Sequence, residues 1–220
     1  MLRKGSIALL APLLLSALAA PARAQTGDAP AGYRPLPAAE AEAVRSVLQR
    51  YLQAVRRHDG AAAAQAVSRD TRAYYARMRD LSITAPEATV RALPLIDRVS
   101  VLMYRHRVPA GVLRTLTGDS AFAHTVSDGW VDATAKWQPS ATAPVFGNGD
   151  RAIVREGGMD VQMVREDGAW RWDMTPVIQA ASTQFTATIP AGMTQDEFVL
   201  LVLRSATGRP ASPTVWQPVQ

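Results

Sequence analysis

Apolar residues recur at spacings of three and four in Val44, Val47, Leu48, Tyr51, Leu52 and Val55, with Arg45, Gln49, Arg50 and Arg56 on the remaining positions; this period predicts an amphipathic helix. The pattern stops at His58-Asp59-Gly60, where Asp59 is placed to cap a second short helix through the alanines to Val67. Arg69 to Arg79, with Tyr74, Tyr75 and Met78, predicts a third helix. Thr84-Ala85-Pro86-Glu87 spells a capping box, Pro94 interrupts the helix that it opens, and Leu95, Val99, Leu102, Met103 and His106 resume the period. Two shorter helices follow, Pro109–Leu116 and Asp119–Ser127, the second closed by Asp128-Gly129.

Beyond Ala143 the pattern alternates, and three two-residue turns punctuate it: Asn148-Gly149, Gly157-Gly158 and Asp167-Gly168. Those turns set Val145 opposite Ala152, Val154 opposite Val161, Ala152 opposite Met163, Met163 opposite Trp172 and Val161 opposite Met174, an all-apolar face. On the other face Arg155 meets Asp160 and Gln162 meets Asp173, with Phe146, Ile153 and Val164 adding apolar surface. A one-residue slip would mix the two sets, so the turns together predict a four-stranded antiparallel meander; a three-residue bulged loop at the last turn is the alternative. Val177, Ile178, Ala181 and Phe185 then predict a helix, and a second capping box, Thr194 to Glu197, opens another that runs to Gly208. The last residues, 209–220, with Pro210, Pro213, Trp216 and Pro218, read as an extended tail, and the proline-rich stretch 25–39 reads as a flexible leader to a domain spanning 40–208.

The start of the chain carries a different message. Arg3 and Lys4 precede a charge-free apolar run from Ile7 to Ala20, followed by Ala22-Arg23-Ala24. This is the pattern of a secretory signal peptide over residues 1–24, cut after Ala24, and the run is shorter than the roughly 20 apolar residues that span a bilayer. The expected location is the periplasm or the exterior, with no transmembrane segment after signal removal. Loss of Arg3, Lys4 and Arg23 takes the formal charge from +5 to +2, and the remaining arginines are scattered among carboxylates, which argues against nucleic acid as a partner. Cysteine is absent, which excludes disulfides, thiolate metal sites, a cysteine nucleophile and a lipid-modified amino-terminal cysteine.

Helix, short helix, a further helical block and a meander ending in Glu166-Asp167-Gly168-Ala169-Trp170-Arg171-Trp172-Asp173 resembles the nuclear transport factor 2-like superfamily, a cone-shaped α+β fold. Leu93-Pro94-Leu95-Ile96-Asp97-Arg98, Arg105-His106-Arg107 and Asp128-Gly129-Trp130-Val131 are similar to segments of exported bacterial proteins of that kind, and the likeness covers roughly residues 40–175. It implies helices packed on a curved sheet around a pocket that relatives use for isomerisation, cyclisation, dehydration, ligand binding or subunit contact. It thus implies a shape rather than a reaction. The chain departs from the pattern in the helical block Pro86–Ser127 and in the segment after the last strand.

Several constellations bear on chemistry. Ser120, His124 and Asp128, four apart along one helix face, imitate a hydrolase triad, but triad members ordinarily converge from separate elements, and the sequence around Ser120 lacks the closing glycine of a nucleophile elbow. His58, His106 and His124 share no metal-binding spacing, so no metal or cofactor is expected, and Gly147-x-Gly149-x-x-Ala152 lies between strands rather than before a helix. In enzymes of the resembled fold an aspartate with a tyrosine or histidine moves a proton; Asp97, Tyr104, His106 and Asp173 are the residues able to supply such a pair. Their bland alternatives are solvated helix charges for Asp97 and a cross-sheet pair with Arg171 or Arg151 for Asp173. Trp130, Trp172 and Tyr104 are the candidate lining of an apolar ligand site, while Trp170 falls beside Arg165 in cation–π position. The leading expectation is an exported, non-catalytic protein that binds a small apolar ligand or an envelope partner. A cofactor-free isomerase, cyclase or dehydratase using a buried aspartate, and a self-associating envelope protein that forms a homodimer, are the alternatives.

Overall fold

The computed structural model describes residues 28–131, 137–156 and 159–219. The signal segment, its cleavage site and the Gly157-Gly158 turn therefore lie outside the described residues. The order of elements is β1 (Arg34–Pro35), α1 (Ala38–Arg56), α2 (Gly60–Ala66), α3 (Arg69–Thr84), α4 (Glu87–Ala92), α5 (Leu95–Arg107), α6 (Ala110–Thr115), α7 (Gly118–Ser127), β2 (Val145–Asn148), β3 (Arg151–Glu156), β4 (Met159–Glu166), β5 (Ala169–Trp172), α8 (Thr175–Ala187), α9 (Gln195–Thr207) and a 3₁₀ turn (Pro213–Trp216). This is an α+β protein. Among the described residues no helix is long and apolar enough to cross a membrane.

The chain forms two compact units. Of the described residues, the sheet unit contains those from 28 to 76 and from 117 to 179, and the helical unit contains those from 77 to 116 and from 180 to 219.

In the sheet unit the strands lie in the order β1-β2-β3-β4-β5, all antiparallel, so the sheet has five strands rather than the four expected. The added strand comes from the segment read as a flexible leader: Arg34 and Pro35 pair with Gly147 and Phe146. Only two residues long and bearing a proline, it is the kind of edge that resists further strand addition. At the opposite edge Val67 bridges Trp172, and the Ser68 N–H donates to the Trp172 carbonyl at 2.9 Å.

Val154 opposes Val161, Ala152 opposes Met163 and Met163 opposes Trp172, as the turns predict. Asp167 and Gly168 both take positive φ, 50° and 77°, the two-residue primed turn that the Asp-Gly pair favours. The β2–β3 hairpin differs: Val145 opposes Val154, not Ala152, because Gly149-Asp150 rather than Asn148-Gly149 forms the turn. The displacement is two residues, one full side-chain period, so the same residues still face the core.

That core packs the apolar stripe of α1, Val44, Val47, Leu48, Tyr51, Leu52 and Val55, against Val145, Ala152, Val154, Val161 and Met163, with Phe122 and Val126 of α7 beside them. Each fully buried aliphatic side chain contributes about 1.5–3 kcal/mol by leaving water. Asp59 caps α2, accepting from the Ala62 N–H at 2.9 Å, and α2 lies so close to α7 that a Cβ on Gly60 would fall on the Ala123 carbonyl oxygen.

In the helical unit α5 packs against α9, whose capping box closes as expected: the Thr194 N–H donates to Glu197 at 2.8 Å and the Glu197 N–H to the Thr194 hydroxyl at 3.2 Å. The other expected box does not form. Thr84 ends α3 and donates its hydroxyl to the Asp80 carbonyl at 3.0 Å, leaving Glu87 to pair with Arg91 at 2.7 Å. Pro94 separates α4 from α5, the restart its position predicts. The tail is not simply extended: Val215 and Trp216 are buried, and the Arg91 guanidinium lies 4.1 Å from the centre of the Trp216 ring.

Candidate functional site

In the sheet unit α1 carries Tyr51, on the stripe that faces the sheet and only 1% exposed. The alternation of β5 puts Trp172 on the same buried face as Met163, and the two rings meet edge to face, 4.8 Å between centres. Trp137, in the stretch between α7 and β2, completes the group at 6.1 Å from Trp172. Trp137 and Trp172 are only partly buried, as are Val177 and Ile178 of α8, which pack against the same core. The arrangement presents flat apolar rings, backed by a buried tyrosine, at the margin of a packed core.

Trp130 has a different surrounding. Its indole N–H donates to Asp128 at 2.6 Å and its ring stands edge-on to His124, 6.2 Å between centres. Trp170 is buried with the Arg165 guanidinium 4.5 Å from its ring centre, the cation–π contact expected of that pair, and Arg165 is also ion-paired to Glu40.

The residues considered for proton transfer fall in both units. Asp173, in the sheet unit, is buried and holds the start of α8: it accepts from the Thr175 N–H at 3.0 Å, the Thr175 hydroxyl at 2.7 Å and the Ser68 hydroxyl at 3.4 Å. Its partners are thus hydroxyls and a backbone N–H, not the arginines considered from the sequence. Ser68 and Thr71 extend the group, their hydroxyl oxygens 3.0 Å apart, and Thr71 accepts from the Met174 N–H at 2.9 Å. Asp97, Tyr104 and His106 lie on α5 in the helical unit. Asp97 is 7% exposed and accepts from Arg77 at 3.0 Å, so it is a paired, largely buried charge rather than a solvated one. Tyr104 is fully buried. His106 Nε2 lies 2.8 Å from the Thr207 hydroxyl, and burial, aided by the nearby charges of Arg209 and Arg107, pushes its pKa below the usual 6.5. The imidazole is therefore neutral at pH 7.

The Ser120, His124 and Asp128 line does not form a relay. Ser120 caps its own helix, accepting from the Thr117 N–H at 2.6 Å, while Asp128 and His124 engage Trp130. Among the described residues no group of three or more His, Asp or Glu side chains gathers to hold a metal ion.

Sequence reasoning missed Trp137, which sits in a stretch with no periodicity to mark it. It also missed Arg105, whose guanidinium donates to five backbone carbonyls, those of Leu81, Ser82, Ala85, Val215 and Trp216; burial lowers its pKa to about 10, which still leaves it charged at neutral pH. Comparison of the chain with protein-family models, with curated proteins and with solved structures finds no match in any of the three.

Proposed function

We propose that this is an exported, non-catalytic protein whose sheet unit, an NTF2-like cone, binds a small apolar ligand against Trp172 and Trp137. The observation that carries the reading is the pair of partly exposed indoles, Trp137 beside Trp172, with Trp172 set edge to face against the buried ring of Tyr51. Indoles so placed offer a large apolar area at low entropic cost to a ligand. The cone assignment rests on the order of α1, α2 and the antiparallel meander and on the packing of α1 across the sheet. Most of the segments that depart from the family pattern, 77–116 and those from 180 on, fall in the separate helical unit. A non-catalytic role is favoured over the isomerase or dehydratase alternative because Asp173 is committed to structural hydrogen bonds and Asp97 to an ion pair. Export rests on the amino-terminal pattern, and the mature chain then begins at Gln25.

The test is titration of the purified mature protein with N-phenyl-1-naphthylamine, an uncharged fluorescent apolar probe, alongside native mass spectrometry of protein recovered from its own host. Saturable binding that Trp172→Ala abolishes, or a retained small molecule, is the expected result. Absence of saturable binding together with a ligand-free dimer would replace this reading with the self-associating envelope protein.

A further inference from the structure

Three arginines of the sheet unit share one surface cleft. Arg50 and Arg57 stand seven residues apart on α1 and just beyond its end, and Arg171 comes from β5; Gln53, Asp59 and Gln65 complete the polar lining of a cleft of about 360 Å³. Elsewhere in this unit Arg45, Arg69, Arg72, Arg155 and Arg165 are each ion-paired to a carboxylate. Among the described residues Arg50, Arg57 and Arg171 have no such partner: Arg50 donates to the Ser46 hydroxyl at 3.0 Å and Arg171 to the Trp170 carbonyl at 3.1 Å. The one carboxylate in the cleft, Asp59, is held by its capping bond to Ala62.

Guanidinium groups stay charged at any pH the protein meets, so three guanidinium groups set against the single carboxylate of Asp59 leave this cleft with an excess of positive charge, which Asp167 offsets in part at Arg171. A monovalent anion would leave part of that excess uncompensated, whereas an anion with two charges would match it. The planar fork of each guanidinium pairs bidentately with phosphate oxygens. We propose that this cleft binds a compact phosphate-bearing polyanion, a diphosphate or a phosphomonoester, through Arg50, Arg57 and Arg171. The site is separate from the aromatic group and does not depend on the reading given for it.

The experiment is isothermal titration of the mature protein with inorganic pyrophosphate at about 50 mM salt, where exposed charges are weakly screened. It is accompanied by co-sedimentation with phosphatidylcholine vesicles containing phosphatidic acid, which tells a soluble phosphate from a lipid headgroup. Arg57→Gln and Arg171→Gln are compared with Arg209→Gln, a change outside the cleft, and circular dichroism and thermal melting establish that each variant folds. One-to-one pyrophosphate binding weakened about tenfold by either cleft substitution, the scale of one charge-assisted hydrogen bond, supports the site with a soluble ligand. Sedimentation with phosphatidic acid vesicles that the cleft substitutions abolish, without pyrophosphate binding, supports it with a headgroup. Binding of neither probe overturns the proposal, as does binding that Arg209→Gln weakens as much as the cleft substitutions do.

Discussion

Nη1 of Arg105 donates to the carbonyl oxygen of Trp216 at 2.6 Å, and the other N–H groups of the same guanidinium reach the end of α3 and the carbonyl of Val215. One side chain thereby satisfies helix-terminal carbonyls that lack intrahelical donors and fastens the carboxyl-terminal turn over α5. Arg105→Met removes every one of these bonds at once and leaves buried acceptors behind. The expected loss is about 3 kcal/mol in urea unfolding. Arg105→Lys should recover less than half of it, because an ammonium has three donors and no planar fork. Unchanged stability in Arg105→Met would show that water serves those carbonyls equally well.

Two glycines separate propensity from packing. In an open helix, alanine exceeds glycine by about 0.5–1 kcal/mol, so Gly111→Ala in α6, where a Cβ would meet nothing within 4 Å, should stabilise the protein by about that amount. Gly60→Ala should do the opposite. Its Cβ would collide with the backbone of Ala123, which can yield only by moving α7, and overpacking of this kind costs about 1–3 kcal/mol. Thermal melting of the two variants side by side gives shifts of opposite sign.

Much of the sheet was legible because its turns are written in glycine. The primed turn at Asp167-Gly168 leaves one register, and the alternation that follows puts Trp172 over Met163. The two-residue error at Asn148-Gly149 survived because a shift of one full period changes partners without changing faces. β1 was not legible: two residues in a proline-rich stretch carry no alternation, and only the unpaired edge of β2 makes them a strand. The box at Thr84 misled because the same hydroxyl can donate back into the helix it ends, a local competition that spacing does not resolve. For the basic cleft, the spacing of Arg50 and Arg57 signals one helix face, but nothing in sequence places Arg171, more than a hundred residues on, beside them.

His106 gives a pH signature. Its folded pKa lies below the unfolded value of 6.5, so between the two the unfolded chain binds more protons than the folded one. Stability should therefore fall as pH drops from above 6.5 toward the folded pKa, and level off below it. His106→Gln retains a group able to bond Thr207 and cannot titrate. In urea melts at pH 7.5 and in steps toward 5, the variant should lose less stability than the parent over that window; equal losses would assign the acid sensitivity to other groups.

Asp173 distinguishes a structural carboxylate from a reactive one. It accepts from the backbone and the hydroxyl of Thr175 at the first residue of α8, the bonding of a helix-capping aspartate, and it touches Ser68 beside the edge of β5. Asp173→Asn keeps an acceptor oxygen in the same place and should cost little, whereas Asp173→Ala leaves the Thr175 N–H unsatisfied and should cost about 1–2 kcal/mol, read by urea unfolding. If the carboxylate instead served as a proton acceptor in an apolar cavity, the order would invert in stability: removing a buried charge by Asp173→Asn would stabilise the fold, as replacing a strained functional group commonly does. A clear gain in melting temperature for Asp173→Asn would therefore revive the buried-aspartate enzyme, while the graded loss from Asn to Ala would fix Asp173 as the cap that joins the end of the sheet to α8.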